Sequence, residues 1–202
     1  MNDLWTLENE IYDSGVKTLC GVDEAGRGPL AGPVCAAAVI LPRGFVIEGL
    51  NDSKKLTEKK REELFALICE NAVTYGIAFA SVEEIEQYNI LNATFIAMNR
   101  AVEKLESLPE LALIDGNRDK GIKYPSRCIV KGDALCADIA AASILAKVTR
   151  DRFMLEMDKK YPEYQFAKHK GYGTKLHYEM LTEYGPSEIH RMTFLKSFYG
   201  NK

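Results

Sequence analysis

Apolar residues fall into short runs and helical stripes along the chain, and most runs are closed by a glycine, a proline or a charged residue. Thr18 to Asp23 reads as a strand and Val34 to Leu41 as its return partner, joined by a turn rich in glycine and proline. Val73 to Ala80 reads as a third strand. Leu111-Ala112-Leu113-Ile114 reads as a buried strand stopping at Asp115-Gly116-Asn117, and Cys128-Ile129-Val130 as another that runs into Lys131-Gly132-Asp133. Helical spacing fills the intervals. Residues 1–13 set Trp5, Leu7, Ile11 and Tyr12 among acids, as in a short helix packed on a domain. Thr57 caps a helix whose apolar side holds Leu64, Phe65, Leu67 and Ile68. Ile85 and the stretch from Ile90 to Leu105 predict one or two helices with an apolar stripe. Ala137 to Met157 predicts a long helix whose small residues, Ala140, Ala141, Ala142, Ser143 and Ala146, let it lie close against a sheet.

Two places in this pattern carry chemistry. The first is Gly21-Val22-Asp23-Glu24-Ala25-Gly26-Arg27-Gly28-Pro29-Leu30-Ala31-Gly32-Pro33. Neighbouring side chains of a strand point to opposite faces, so Asp23 and Glu24 meet at one centre only if the strand ends at this pair. Gly26 and Gly28 allow positive φ and leave main-chain N–H groups uncovered, while Arg27 adds a planar donor fork. An acid pair, bare backbone and an arginine predict a metal site beside a phosphate site; the plain alternative is a solvated turn. The second place is Asp115, at the C-terminal edge of its strand, where open α/β sheets carry their sites. It reads alternatively as an aspartate opening a turn. Asp133 and Asp138 compete for a further place. Asp138 suits a helix start, where it complements the dipole, and Asp133, after a glycine at the strand exit, is the freer to turn inward.

Composition narrows the class without deciding it. A chain of 202 residues, 47% hydrophobic, predicts one domain with a sizeable core. Its N-terminus lacks a basic region, and no apolar run approaches membrane-spanning length, so a cytoplasmic protein is expected. The five cysteines show no C-x-x-C spacing and sit mostly in apolar segments, which predicts free thiols rather than a zinc site. The net charge of -3 looks wrong for a nucleic-acid binder, yet residues 147–175 hold eight Lys/Arg against four acids. A local basic patch outweighs the total.

Taken together, Asp23-Glu24-Ala25-Gly26-Arg27-Gly28-Pro29, Asp52-Ser53-Lys54, Ile114-Asp115-Gly116-Asn117, Lys131-Gly132-Asp133, the Ala141 to Asp151 segment and His169-Lys170-Gly171-Tyr172-Gly173-Thr174 resemble bacterial ribonuclease HII, in order over residues 18–195. The resemblance implies an RNase H-like α/β fold, with a central mixed sheet flanked by helices. The core would span residues 15–160 and a small helical substrate-contacting segment residues 161–202. It implies Asp23, Glu24, Asp115 and Asp133 as catalytic metal ligands for two divalent ions, Mn²⁺ or Mg²⁺. Asp23 would bridge the ions, Glu24 and Asp115 would complete one shell, and Asp133 would serve the water-activating side. Gly26, Arg27 and Gly28 would read the 2′-hydroxyl and the neighbouring phosphate, Tyr172 would stack on the next sugar, and Lys54 would contact phosphate. The implied substrates are RNA–DNA hybrids and duplex DNA carrying ribonucleotides, cut by a monomer to give 5′-phosphate and 3′-hydroxyl ends.

Rival classes fit less of the chain. Ribonuclease HIII favours lysine at the Arg27 position and carries an N-terminal domain for which the 22 residues before Asp23 leave no room. A glycosidase or a general nuclease with paired acids leaves the Gly-Arg-Gly turn and Tyr172 unexplained. A nucleic-acid binding module without activity would tolerate loss of the acids. Other residues take plain roles: His169 and His177 as surface histidines near the Tyr172 loop, His190-Arg191 as packing with duplex contact, and Trp5 as structural. Lys55 shares Lys54's alternatives. Lys147, Arg150 and Arg152 read equally as a solvated helix face or as phosphate contacts.

Overall fold

The computed structural model describes residues 4–50, 53 and 56–200. Lys54, together with Asp52 and Lys55, lies outside the described residues. A five-stranded mixed sheet has the order β3-β2-β1-β4-β5, formed by β1 (Leu19–Ala25), β2 (Val34–Ile40), β3 (Thr74–Ala80), β4 (Leu111–Asp115) and β5 (Ser126–Ile129). β2 returns antiparallel on β1, with Asp23 opposite Ala37, and β3 returns on β2. β4 runs parallel to β1, with Val22 beside Ile114, and β5 parallel to β4. The C-terminal ends of β1, β4 and β5 therefore lie on one edge of the sheet.

Period-two alternation sends each strand's side chains to two different cores. Cys20, Val22, Ala36, Ala38, Ala78 and Ile114 face α3 (Val82–Glu103). Ala37 and Val39 face α4 (Ala137–Lys160), together with α2 (Glu58–Asn71) and the residues preceding α1 (Thr6–Asp13). The first turns of α4 are buried all round, as expected of a helix apolar on every side. It lies on the sheet so closely that a Cβ at Gly21 would come within 2.1 Å of the Asp138 carbonyl carbon. Its small-residue segment has that consequence.

Local chemistry sets the helix ends. Thr57 accepts from the Lys60 N–H and starts α2, and Ser81 with Glu84 makes a capping box for α3. The predicted one or two helices are two segments across Asn89, whose φ of 66° breaks the helix and whose Oδ1 caps the next turn at Leu91 and Asn92. Buried Glu8 reaches from α1 to accept from the Ala137 and Asp138 N–H groups that open α4. Trp5 is structural as expected, its indole N–H donating to the Phe45 carbonyl. After α4 the chain forms α5 (Phe166–His169), α6 (Lys175–Tyr184) and α7 (Met192–Tyr199), which share an aromatic cluster with Tyr164. All five cysteines are free thiols, and no described helix is long and apolar enough to cross a membrane.

One strand departs from expectation. β1 does not stop at the acid pair but runs on to Ala25, because Glu24 and Ala25 keep their pairing with Ala36 and Cys35 of β2. Alternation therefore still holds at the acids: Asp23 lies on the α4 side and Glu24 on the α3 side.

Candidate active site

Asp23 is buried on the α4 face near the end of β1. Its Oδ1 accepts from the Glu24 N–H at 2.7 Å, and the Ser143 hydroxyl bonds to the same carboxyl. Burial pushes the Asp23 pKa well above the ordinary carboxylate value, the negative charges of Glu24 and Asp115 add to it, and the two hydrogen bonds oppose it. Ser143 also pairs with Ser53 at 2.9 Å, so Ser53 is tied to the acid site. Arg61 donates to the Ser53 and Leu56 carbonyls.

Asp115 ends β4, beside Asp23 in the parallel register that pairs Val22 with Ile114. Its Oδ1 accepts from the Gly132 N–H at 2.7 Å, which fastens the turn after β5 to the site. Asp133 sits buried in that turn, a short 3-10 helix opened by Lys131 in the left-handed region at φ 58°. Its competitor Asp138 is excluded by position: its Oδ1 accepts from the Leu41 N–H just past the end of β2, at the opposite edge of the sheet. Glu24, on the α3 side, lies 3.6 Å from Arg27. Glu24, Arg27, Thr94, Asp115, Asn117 and Arg118 border a cleft of about 310 Å³.

Among the described residues, no three His, Cys, Asp or Glu side chains form a closed group around one ion position. The donors are nonetheless of the kind a hard divalent cation takes: carboxylate oxygens, crowded enough to raise the Asp23 pKa, with one flanking arginine. The residues fit such an ion.

The turn after β1 is held from behind by two buried arginines that sequence reading does not assign. Arg191 donates to the Gly26, Arg27 and Gly32 carbonyls at 2.6, 2.9 and 2.9 Å. Trans peptide groups are planar with C=O and N–H opposed, so the Arg27 and Gly28 N–H groups point away from Arg191. Arg150 donates to the Pro33, Ala31 and Lys170 carbonyls at 3.1, 3.1 and 3.0 Å, joining the turn to the Tyr172 loop. Gly26 has φ 100°, and a Cβ there would meet Arg150 Nε at 2.0 Å, so the position admits glycine only. Burial lowers the pKa of both guanidinium groups, and Arg150 adds charge repulsion at Arg191. Arg191, lowered to about 9, stays cationic at neutral pH.

Tyr172 projects from the loop with 43% of its surface exposed. Lys147 Nζ and Arg150 Cζ each lie 5.9 Å from its ring centre, and a Cβ at Gly28 would sit 3.9 Å from its Cε1. Tyr172 and the Gly26-Arg27-Gly28 turn thus share one surface, next to the cleft that Arg27 and the acids border.

Several plain expectations need correction. Arg150 is not on a solvated helix face and has no reach to phosphate, because its side chain is spent on buried carbonyls. Arg191 is likewise buried, so the packing expected of the His190-Arg191 segment is present while arginine contact with duplex is not. His169 and His177 are buried rather than superficial. Arg152 is exposed, pairs with Glu62 and covers the Phe65 ring, and Lys147 pairs with Asp151 at 2.7 Å.

This fold recurs in solved structures. The ribonuclease H2 of Pyrococcus horikoshii superposes with a TM-score of 0.76 at 27% identity, covering 92% of this chain and 98% of that one. A ribonuclease HIII designated Bst, solved in complex with Mn²⁺, superposes at 0.67 with 17% identity, covering 91% and 66%, a likeness of fold alone. Fold and strand-end acids together define an enzyme of the ribonuclease H class. The family model for ribonuclease HII matches residues 20–197, and the ribonuclease HII of Caldicellulosiruptor saccharolyticus is 53% identical over 191 residues, covering 95% of this chain and 93% of its own. The chain belongs to the ribonuclease HII family.

Proposed function

We propose that the protein hydrolyses the RNA strand of RNA–DNA hybrids and nicks duplex DNA on the 5′ side of an embedded ribonucleotide, in ribonucleotide removal and primer processing. Asp23, Glu24 and Asp115 would hold the divalent cations, with Asp133 on the side of the attacking water. When bound, Mg²⁺ or Mn²⁺ at two sites supplies the positive charge that activates water and stabilises the leaving 3′-oxygen. Ser143 and the Glu24 N–H orient the Asp23 carboxylate toward that use. The Arg27 and Gly28 N–H groups, turned outward by Arg191, offer donors to the 2′-hydroxyl and adjacent phosphate.

One observation carries the reading: Gly28 and Tyr172 face each other beside the acid-lined cleft. The exposed face of the ring offers a sugar a stacking platform next to the Arg27 and Gly28 N–H groups. Stacking there favours a deoxyribose, so the cut falls before the last ribonucleotide. The test is a 5′-labelled DNA duplex carrying one ribonucleotide, incubated with Mg²⁺ or Mn²⁺. A single nick 5′ of the ribonucleotide is expected, and it should disappear in Asp23→Asn. Cleavage confined to long RNA strands would refute the roles given to Gly26, Arg27, Gly28 and Tyr172.

A further inference from the structure

The chain contains three histidines, and all three are buried in one cluster with Tyr164 and Phe166. The His169 and His177 rings stack with centres 4.3 Å apart. Main-chain groups fix where each proton sits. The Ser187 N–H can only donate and lies 2.8 Å from His190 Nδ1, so His190 carries its proton on Nε2. That N–H faces His177 Nε2 at 2.9 Å, which makes His177 Nε2 the acceptor. The proton of His177 is then on Nδ1, 3.0 Å from the Tyr172 carbonyl, which can only accept. His169 follows the same logic separately: its Nδ1 accepts from the Gly171 N–H at 3.2 Å and its Nε2 donates to the Tyr164 carbonyl at 2.9 Å.

The main-chain partners therefore have one sense each. The Ser187 hydroxyl, also 2.8 Å from His190 Nδ1, then donates beside the Ser187 N–H, and a proton added at that nitrogen would meet the N–H head on. Burial, the first cause, agrees: it pushes His177 and His190 down to about 4. The far ends of these hydrogen bonds are the N–H of Gly171 and the C=O of Tyr172, consecutive residues of the loop that carries the exposed ring.

We propose that His190 and His177 form a neutral two-ring relay, from the Ser187 main chain to the Tyr172 carbonyl, that positions the Tyr172 ring and so sets the preference for a ribonucleotide followed by a deoxyribonucleotide. This rests on the reading of Tyr172 as the sugar-stacking residue. His177 and His190 touch no substrate; they are positioning residues.

The test compares kcat/KM on a duplex with one ribonucleotide and on a hybrid with a uniform RNA strand. His177→Gln can still accept from His190 but offers no donor at the δ position, and the selectivity ratio should fall about 10-fold, the scale of one buried hydrogen bond. His177→Asn restores an amide N–H at that position and should recover most of the ratio. In Tyr172→Ala the ratio should fall as well, and adding His177→Gln should lower it no further. Nitrogen-15 spectra of the wild-type imidazoles should show His177 protonated on Nδ1, and His169 and His190 on Nε2, a measurement that needs no variant to fold. An unchanged ratio in His177→Gln beside a lowered one in Tyr172→Ala overturns the relay and leaves the stacking role standing. An unchanged ratio in Tyr172→Ala overturns the stacking role itself, and the relay's purpose with it. A His177 protonated on Nε2, or doubly protonated at neutral pH, also overturns the relay.

Discussion

The acidic end of β1 and the glycine turn that follows it are neighbours in the chain, yet they are held in opposite ways. At the strand end, Asp23 is buried against the negative charge of Glu24 and Asp115, and only Ser143 and one N–H work in its favour. At the turn, Arg191 and Arg150 bind carbonyl after carbonyl and join the turn to the Tyr172 loop. Carboxylates crowded closely enough to raise a pKa are the mark of a site that a cation completes. A turn bound from behind at several points is the mark of a surface preorganised before its ligand arrives. Under the proposed function, reaction chemistry falls to the first region and selectivity to the second.

Asp23→Asn gives the widest separation between the two. Cleavage should fall by about 10³-fold or more, the several kcal/mol that metal chemistry supplies. The folded chain in EDTA should gain stability, on the order of 1 kcal/mol, because an unfavourable charge is removed. Single-turnover assays and thermal melts read both, and a melt below wild type would break the comparison. Next in size, Arg191→Lys should cost about 3 kcal/mol in denaturant unfolding, since a lysine ammonium cannot serve three carbonyls in one plane. What activity remains should show a reduced preference for the single-ribonucleotide duplex. Tyr172→Ala should lower kcat/KM on that duplex by about 10–100-fold, the range for loss of one stacking platform, whereas Tyr172→Phe keeps the ring and should stay near wild type.

The smallest effect is a pH dependence. Asp23 has a folded pKa raised above 3.8, so its charged form is disfavoured in the native state. Stability linked to this group is fully present below about pH 3.8 and is lost as pH rises through the folded value. His177 and His190, lowered to about 4 by burial, act the other way, since the unfolded chain takes up their protons below about pH 6.5. The Asp23 contribution is therefore read as a difference: in EDTA, thermal melts should show Asp23→Asn losing stability more steeply than wild type as pH is lowered. Asp138, raised in the same direction as Asp23 by burial and then by Glu8, offsets part of the histidine loss in both chains.

The same contrast explains what the sequence discloses. The acids, the Gly-Arg-Gly turn and Tyr172 are local signals: each stands at a strand exit or in a glycine-rich loop, and the resemblance names them. The strands follow from the same runs, and the return of β2 on β1 from the short turn between them, whereas the full strand order comes from the structure. The side of β1 that Glu24 occupies is harder to read, because whether a strand stops at a polar pair depends on its partner, and here Ala36 and Cys35 keep the ladder going. Arg150 and Arg191 look like any charged residues, since the carbonyls they satisfy lie far away in the chain, 165 residues in the case of Arg191 and Gly26. The histidines mislead for a similar reason. Their partners are main-chain atoms, each other and the Ser187 hydroxyl, and no side-chain pattern announces that.

The most direct measurement follows the melting temperature of wild type and Asp23→Asn at pH 7 as Mg²⁺ or Mn²⁺ is titrated from zero. A cation that completes the acid site should stabilise the wild type progressively, by about 2.7 kcal/mol at 100 times its Kd, while Asp23→Asn starts higher and stays nearly flat. Equal rises in the two chains, or a wild type indifferent to both ions, would contradict the account of the strand-end acids as a charge-strained site awaiting metal.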